Sequence, residues 1–414
     1  MNIGFVSFRF AGTDGVSLEV AKWATLLEAM GHTCYYFAGQ CDRPDGRSFI
    51  VPEAFYQQPE ILAHHQALFS RPTRTPEETA WIEQRRAYFH DRLQRFVGAF
   101  NLDLLIPQNV LAIPLNIPLA LALADLIAET GIPTIAQHHD LAWERKRFLV
   151  NGVGDYLSAA FPPDLSSIRH VVINSLAQRQ LAWRRGLNAL LVPNVMDFAT
   201  PPPVPDAYAA NLRRDLGLAE DELLILQPTR VISRKGIEHA IELVVRLGRK
   251  ARLVISHASA DEGDAYEQRL RQYATLLNAP VLFVADVIGD ERGQLADGRA
   301  IYSLADVYAQ ADFVTYPSLI EGFGNAFLEA IYYRKPLLVQ RYDVYAADIG
   351  PKGFQVVEFD EYITTATVTA VAHLLDNPGQ AAAMAETNYQ LAQQHYSYQT
   401  LQGCLQTLLE SVRS

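Results

Sequence analysis

Ser318-Leu319-Ile320-Glu321-Gly322-Phe323-Gly324-Asn325-Ala326-Phe327-Leu328-Glu329-Ala330 joins a glycine turn to an apolar pattern of helical period. Residues 312–317 precede it as a short apolar run ended by proline, which predicts a buried strand. A strand, a glycine turn and the start of a helix form a loop whose backbone N–H groups can face an anion. The stretch therefore predicts an anion-binding loop between a buried strand and a helix.

Two carboxylates flank this turn. Glu321 lies on the predicted loop, and Glu329 lies about two turns into the predicted helix on nearly the same face. Because carboxylates accept hydrogen bonds from hydroxyls, the pair suits a polyhydroxylated ligand with a phosphate between its parts, such as a nucleotide sugar. The simpler interpretation makes Glu321 a solvated loop residue, Gly322 and Gly324 ordinary turn formers, and Glu329 a surface helix position.

The composition is that of a globular protein with more than one domain. The chain has 414 residues, of which 49% are hydrophobic and 20% charged, and this length favours two domains. A formal net charge of -11 argues against general nucleic-acid binding. Three cysteines without a metal-like or disulfide spacing, and no secretory signal at the first strand, predict a cytoplasmic protein. The apolar tract 111–128 contains Pro114, Pro118 and Asp125, so it predicts a loop plus a buried helix and no transmembrane segment.

Short apolar strands alternate with helical patterns along both halves of the chain. In the first half, strands are predicted at 3–8, 33–37, 104–106, 134–137, 171–173 and 190–192, with helices at 16–30 and 76–100. In the second half, strands are predicted at 223–226, 252–255, 281–284, 313–315 and 336–339, with helices at 237–247, 266–277, 301–310, 325–332, 368–375 and 378–412. The alternation predicts an α/β protein with parallel sheets covered on both faces.

A proline-rich segment separates the two halves. Pro201-Pro202-Pro203-Val204-Pro205 follows Pro193-Asn194, and proline at this density cannot sit in a sheet. The predicted domains are residues 1–197 and 198–385, each Rossmann-like, and a final helix, 386–414, that packs back on the first domain. A central cleft between the two sheets is the expected ligand site.

Three further clusters lie where predicted strands end. Arg230 and Lys235 follow the first strand of the second half, where two fixed cations could neutralise a diphosphate leaving group; a solvated basic loop is the alternative. His138 and His139 precede Asp140, so either could be a general base, or a buried hydrogen-bonding residue. Gly12-Thr13-Asp14-Gly15 follows the first strand without the full dinucleotide spacing. There is no Asp-x-Asp triplet, P-loop or G-x-S-x-G motif, so metal-dependent sugar transfer, kinase and esterase activities lose support.

The combination resembles the retaining family-4 glycosyltransferases, which have the two-domain GT-B fold. Glu321 and Glu329 around Gly-Phe-Gly match the signature of that family. The order and spacing of its other motifs are matched by His139-Asp140, Pro193-Asn194, Arg230 and Lys235-Gly236. The resemblance covers nearly the whole chain. It implies transfer of a hexose from a nucleoside-diphosphate sugar with anomeric retention, without a bound metal or other cofactor. Thr229 replaces the usual glycine before the arginine, and the segment 286–299 is longer than usual.

The resemblance also implies roles for individual residues. Glu321 would contact hydroxyls of the transferred sugar, Glu329 the ribose, and Arg230 and Lys235 the diphosphate. His139 would lie near the anomeric centre. Donor binding would further involve residues of both glycine loops: Gly15, Gly322, Phe323, Gly324, Asn325 and Ala326.

A local cluster of cations suggests the acceptor. Arg9, Arg145, Lys146 and Arg147 are candidates to bind a small carboxylated or phosphorylated acceptor in the first half, and His138 is a further acceptor-binding candidate. The segment from His138 to Arg145 and the Pro107–Pro118 region are similar to enzymes that build mannosylglucosylglycerate, which implies GDP-mannose as donor, with UDP-glucose next. The alternatives are a non-catalytic nucleotide-sugar-binding or assembly subunit, and a GT-B phosphorylase or epimerase. The sequence does not indicate an oligomeric state.

Overall fold

A computed structural model describes residues 1–12, 15–259 and 263–412, and its chain forms two compact units. The first unit comprises Met1–Asn194 together with Tyr398–Ser414, and the second comprises Val195–Ser397. Thr13 and Asp14, which belong to the glycine loop singled out above, lie outside the described residues. Within the described residues, no helix is both long and apolar enough to cross a membrane.

The first unit is built on a parallel seven-stranded sheet. Its strands, from one edge to the other, are Ser48–Ile50, Thr33–Ala38, Asn2–Val6, Leu104–Pro107, Thr134–His138, Ile168–Val172 and Ala189–Leu191. The central strands are almost entirely buried, as expected when helices cover both faces of a parallel sheet. A short parallel pair, Arg9–Phe10 with Gln40–Cys41, lies beside the main sheet.

Helices connect these strands. They are Gly15–Ala29, Pro59–Leu68, Pro76–Phe100, Ile117–Thr130, Gly154–Ala160, Ser175–Arg185 and the final helix Tyr398–Ser411, with 3-10 turns at Asp45–Arg47, Pro52–Ala54, Ala142–Glu144 and Lys146–Phe148. The final helix packs against Gly15–Ala29. Asn116 caps the helix Ile117–Thr130, and Gly131 ends it in the left-handed conformation. Most of that helix is buried, as predicted for the apolar tract.

The second unit contains a parallel six-stranded sheet. Its strands, in spatial order, are Val281–Phe283, Ala251–Ile255, Leu223–Gln227, Phe313–Tyr316, Leu337–Gln340 and Val357–Phe359. Its helices are Ala207–Asp215, Ile237–Leu247, Ala265–Leu276, Leu304–Gln310, Asn325–Tyr332, Thr365–Asp376 and Pro378–His395, with 3-10 turns at Ser233–Lys235 and Gly350–Lys352 and a π turn at Tyr345–Ile349. The two sheets confirm the prediction of a parallel α/β protein.

The helix predicted at 301–310 is wrong in its first turn. Ala300–Ser303 is a strand, which pairs with Ile288–Gly289 and Gly293–Gln294 in a small three-stranded sheet. Ser303 caps the helix that follows, since its hydroxyl accepts from the backbone N–H of Asp306 and the Asp306 carboxylate accepts from the backbone N–H of Ser303. The long segment 286–299 therefore contributes two short strands, Ile288–Gly289 and Gly293–Gln294, to this small sheet.

The strand order fixes where ligands can bind. Both main sheets run third-second-first-fourth in chain order, when the short strand pairs are set aside, so the connections reverse direction between the first and fourth strands. In open α/β sheets, ligands bind at the carboxyl ends of the strands where this reversal occurs. In the second unit these strands are Leu223–Gln227 and Phe313–Tyr316, and the loops after them carry Arg230, Lys235 and Glu321.

Candidate active site

Two loops meet at the reversal point of the second unit. The first ends in the turn Ser233–Lys235 and reaches its helix through Gly236, which has a φ of 57°. A Cβ on Gly236 would lie 2.5 Å from the carbonyl oxygen of Pro317, which begins the second loop. The Leu319 N–H also donates to the Arg234 carbonyl at 2.8 Å. Only glycine fits here, because the backbones of the two loops touch.

The Glu321 carboxylate lies between two cations. Its Oε2 accepts from Arg234 Nη1 at 3.1 Å, and its Oε1 contacts Lys235 Nζ. The side chains of Glu321 and Lys235 are only 9% and 10% exposed, against 23% for Arg234. A parallel sheet was expected to direct Arg230 and Lys235 toward the same crevice as the Glu321 loop, and the structure adds a direct contact of Glu321 with Lys235 and Arg234.

Burial and charge act in opposite directions on these groups. Burial alone would raise the pKa of Glu321, but the Lys235 and Arg234 cations lower it below its ordinary value. Burial lowers the pKa of Lys235, and the Glu321 carboxylate opposes this. A carboxylate that stays ionised in an enclosed site is a strong acceptor for hydroxyl groups.

Arg230 differs from its two cationic neighbours. Its side chain is exposed, and no carboxylate or other acceptor among the described residues pairs with its guanidinium. His257 follows the strand Ala251–Ile255, and it is close enough to Arg230 and Lys235 for their positive charges to lower its pKa. Burial lowers the pKa of His257 to about 4, and both cations contribute, so its ring is neutral near pH 7. The loop after the strand Leu223–Gln227 thus carries, in Arg230, a positive charge that is available to an anion.

Gly324 begins the helix Asn325–Tyr332 under an aromatic constraint. Its φ is 133°, and a Cβ there would lie 2.5 Å from the Tyr342 hydroxyl. That hydroxyl donates to the Phe323 carbonyl at 2.7 Å and so fixes the turn. The first N–H groups of a helix have no partners within the helix, which is why this turn can face a phosphate.

Glu329 is the fifth residue of this helix, one turn from its start rather than the two turns expected. Its Oε2 accepts a hydrogen bond from the fully buried Tyr308 hydroxyl at 3.1 Å. Burial raises the pKa of Tyr308, and the Glu329 carboxylate adds to the effect, so Tyr308 remains a neutral donor. Tyr308 therefore holds Glu329 in place.

In the first unit, His139 lies just beyond the strand Thr134–His138. Its Nε2 is 3.0 Å from Gln108 Oε1, and its backbone N–H donates to Asn109 Oδ1 at 2.7 Å. Asn109 has a φ of 60°, a conformation that asparagine tolerates better than most residues. Gln108 and Asn109 thus set the position of His139.

His138 is enclosed. Its Nε2 lies 2.9 Å from Nδ1 of His170 on the neighbouring strand, and 1% of the residue is exposed. Burial lowers the pKa of His138, and the nearby His170 adds to this effect. Of the two histidines, His138 is thus the one buried within the sheet, where its ring contacts that of His170.

The cations predicted to bind an acceptor lie on separate elements of the first unit. Arg145 Nη2 pairs with Asp140 Oδ1 at 2.5 Å, next to His139 in sequence. Lys146 is exposed, whereas Arg9 lies over the Phe55 ring with its guanidinium carbon 6.0 Å from the centroid. Gly15 is the first residue of the helix Gly15–Ala29.

The sequence interpretation missed several residues at these loops: Gln108, Asn109, Arg234, His257 and Tyr308. Arg234 carried a visible signal, since it is one of three cations within six residues. The others have no local signal, because their importance comes from long-range contacts. Across the described residues, no three His, Cys, Asp or Glu side chains form a group that could hold a metal ion.

Known proteins resemble this chain along most of its length, although no family model matches it. The mannosylglucosylglycerate synthase of Petrotoga mobilis is 34% identical over 380 residues, covering 86% of each chain. The enzyme of the same name from Thermotoga maritima is 30% identical, covering 98% of this chain and 99% of its own. HepE from Anabaena, solved in complex with UDP-glucose, superposes with a TM-score of 0.65 at 15% identity, covering 100% of this chain and 99% of its own.

These likenesses complete the assignment. The structural similarity shows the GT-B fold, and the sequence similarity extends over most of both relatives. The chain therefore belongs to the mannosylglucosylglycerate synthase family, and it is a hexosyltransferase that acts on a nucleotide sugar.

Proposed function

We propose that this enzyme transfers mannose from GDP-mannose to a small anionic, hydroxylated acceptor of the glucosylglycerate type, with retention of the anomeric configuration. UDP-glucose is the next candidate donor. The names of the two relatives support this choice of sugar and acceptor. The observation that carries the proposal is the contact of Glu321 with Arg234 and Lys235 at the reversal point of the second sheet.

Two cations of this site, Arg230 and Lys235, are assigned to the diphosphate. Among the described residues, no acceptor pairs with the guanidinium of Arg230. Lys235, at the end of the turn Ser233–Lys235 in the same loop, is a point charge on a flexible side chain. Negative charge grows on the diphosphate as the glycosidic bond breaks, so fixed cations stabilise the transition state more than the ground state. The turn at Gly324, Asn325 and Ala326, which starts the helix, is assigned to the same phosphates.

The two carboxylates are assigned to the sugars. Glu321 accepts hydrogen bonds from hydroxyls of the transferred hexose, and Glu329, held by Tyr308, accepts from the ribose. His139 is assigned to the transferred hexose on the family resemblance, and Gln108 fixes its ring. No bound metal takes part in this proposal.

The reaction requires no protein nucleophile. The bond between the anomeric carbon and the diphosphate oxygen breaks, and the acceptor hydroxyl oxygen bonds to the same face of that carbon. The departing phosphate oxygen takes the proton of the acceptor hydroxyl, so charge and atoms balance. The cations then hold the nucleoside diphosphate that leaves.

The acceptor is assigned to the first unit through its cations. A glycerate carboxylate would be attracted by Arg145 and Lys146, of which Arg145 is shared with Asp140. Charge reversal at both positions should raise the KM for the acceptor and leave the KM for the donor unchanged. Reversal of the exposed Arg95, which pairs with Asp91, is the matched control. An unchanged acceptor KM in the double reversal would remove this assignment.

A thermal-shift panel of UDP-, GDP- and ADP-sugars tests the donor, since a ligand that binds only the folded form raises its apparent stability. GDP-mannose should give the largest shift, and Glu321→Ala should abolish most of it. Glu386→Ala, at an exposed surface ion pair with Arg334, is the control.

A transfer assay with GDP-mannose and glucosylglycerate tests the reaction. The product should carry an α-linked mannose by NMR, which reports retention, and EDTA should leave the rate unchanged. Absence of a shift with every sugar nucleotide, together with no transfer, would overturn the proposed function.

A further inference from the structure

Arg234 makes contacts that the other cations of the site do not share. Its Nη1 donates both to Glu321 Oε2 at 3.1 Å and to the Ile320 carbonyl at 3.0 Å. Its own carbonyl accepts from the Leu319 N–H at 2.8 Å. Arg234 therefore holds the side chain and the backbone of the loop that carries Glu321.

These contacts of Arg234 matter because the residues just before Glu321 are exposed to solvent. Leu319 is 42% exposed and Ile320 is 66% exposed, so apolar packing does not fix the segment before Glu321. The Glu321 side chain is nevertheless 9% exposed. A buried carboxylate on an exposed loop depends on its polar partners for orientation.

The two cations that contact Glu321 differ in how easily they can leave it. Lys235 is a point charge on a flexible stem, and within the described part of the chain its side chain hydrogen-bonds to Glu321 alone. Arg234 is a planar donor already shared with a backbone carbonyl. When a diphosphate enters, Lys235 can turn to it, whereas Arg234 stays with the carboxylate.

We infer that Arg234 is the positioning residue that keeps Glu321 directed at the hydroxyls of the donor sugar while Lys235 binds the diphosphate. The inference rests on the proposed function, because it requires Glu321 to bind the transferred hexose. It divides the cations of one loop into two roles. Lys235 recognises what every nucleoside diphosphate shares, and Arg234 acts only when a sugar is attached.

Comparing GDP-mannose with GDP separates these roles. Arg234→Met should weaken binding of GDP-mannose roughly tenfold or more, as expected for loss of a charged hydrogen bond, and change GDP binding by less than about threefold. Lys235→Met should weaken both ligands by similar factors. Compared with Arg234→Met, Arg234→Lys should restore part of the GDP-mannose affinity, since it returns the positive charge without the planar guanidinium group. Arg249→Met, which breaks the surface pair with Asp376, should change neither affinity.

A double-mutant cycle tests whether Arg234 acts through Glu321. In a Glu321→Ala background, Arg234→Met should cause almost no further loss of GDP-mannose affinity. Equal weakening of GDP and GDP-mannose by Arg234→Met would make Arg234 a diphosphate ligand and overturn the inference. An undiminished effect in the Glu321→Ala background would overturn it as well. Failure of the wild-type protein to bind GDP-mannose while UDP-glucose binds would move the same comparison to UDP-glucose and UDP, and failure with every sugar nucleotide would refute the proposed function itself.

Discussion

Gly236 and Pro317 touch: a Cβ on Gly236 would lie 2.5 Å from the Pro317 carbonyl oxygen. This contact joins the loop that carries the cations to the loop that carries Glu321. The arrangement of both loops therefore depends on a residue without a side chain.

Gly236→Ala should disturb the site more than its backbone conformation alone explains. Gly248 has nearly the same φ, 59° against 57°, but a Cβ there would meet nothing within 4 Å. Gly248→Ala should lower the free energy of unfolding by about 1 kcal/mol, the cost of a left-handed conformation. Gly236→Ala should cost more and weaken GDP-mannose binding, as measured by urea unfolding and calorimetry. Equal behaviour of the two variants would show that the contact with Pro317 is unimportant.

Tyr308→Phe should affect donor binding through Glu329. Removal of the hydroxyl takes away a hydrogen bond of 3.1 Å to the carboxylate, so the KM for the donor should rise roughly threefold to tenfold. Tyr302→Phe is the matched control, because Tyr302 is also buried and donates to a carboxylate, Asp215, at 2.6 Å. It should lower stability and leave the donor KM unchanged. A similar KM change in both variants would contradict a specific role for Tyr308.

The two adjacent histidines should behave in opposite ways. His139→Ala should lower kcat roughly tenfold or more, with little change in stability, if His139 contacts the transferred sugar. His138→Ala should lower the free energy of unfolding by about 2 kcal/mol, since it leaves His170 buried without its partner. Steady-state kinetics and urea unfolding distinguish the two. A loss of kcat in the His138 variant alone would reverse the assignment.

His170 should make stability depend on pH. Burial lowers its pKa to about 4, so the folded protein resists protonation while the unfolded chain binds a proton below about pH 6.5. The free energy of unfolding should therefore fall as the pH decreases from 6.5 toward 4, by roughly 1.4 kcal/mol per pH unit from this group.

His170→Asn keeps a hydrogen-bonding atom near the position of Nδ1 but does not titrate in this range. Urea unfolding at a series of pH values should show a shallower loss of stability in this variant, by about one proton. An identical pH profile for wild type and variant would show that His170 does not contribute.

Much of the second unit could be predicted from local sequence. The helices Ile237–Leu247 and Asn325–Tyr332 begin and end where their patterns predict, because an apolar stripe and a flanking glycine define each one. Ala300–Ser303 was predicted wrongly because its residues suit a helix, and only pairing with Ile288–Gly289 and Gly293–Gln294 makes it a strand. Such pairing is not visible in a local window.

Long-range ion pairs explain the rest. Arg292 pairs with Asp206 at 2.7 Å and with Asp306 at 2.5 Å. These contacts tie the segment 286–299 to the helices Ala207–Asp215 and Leu304–Gln310. The cationic loop was predicted, but the direct pairing of Arg234 with Glu321, across 87 positions of sequence, was not. Spacing along the chain identifies candidate residues and leaves their pairing to the fold.

The chain enters the second unit at Val195 and returns to the first at Tyr398. A deletion that removes the last helix would thus expose the face of Gly15–Ala29 that it covers, near the beginning of the polypeptide. To express the second unit alone, Val195–Ser397 should be taken as one continuous fragment. To express the first unit alone, residue 194 should be joined directly to residue 398.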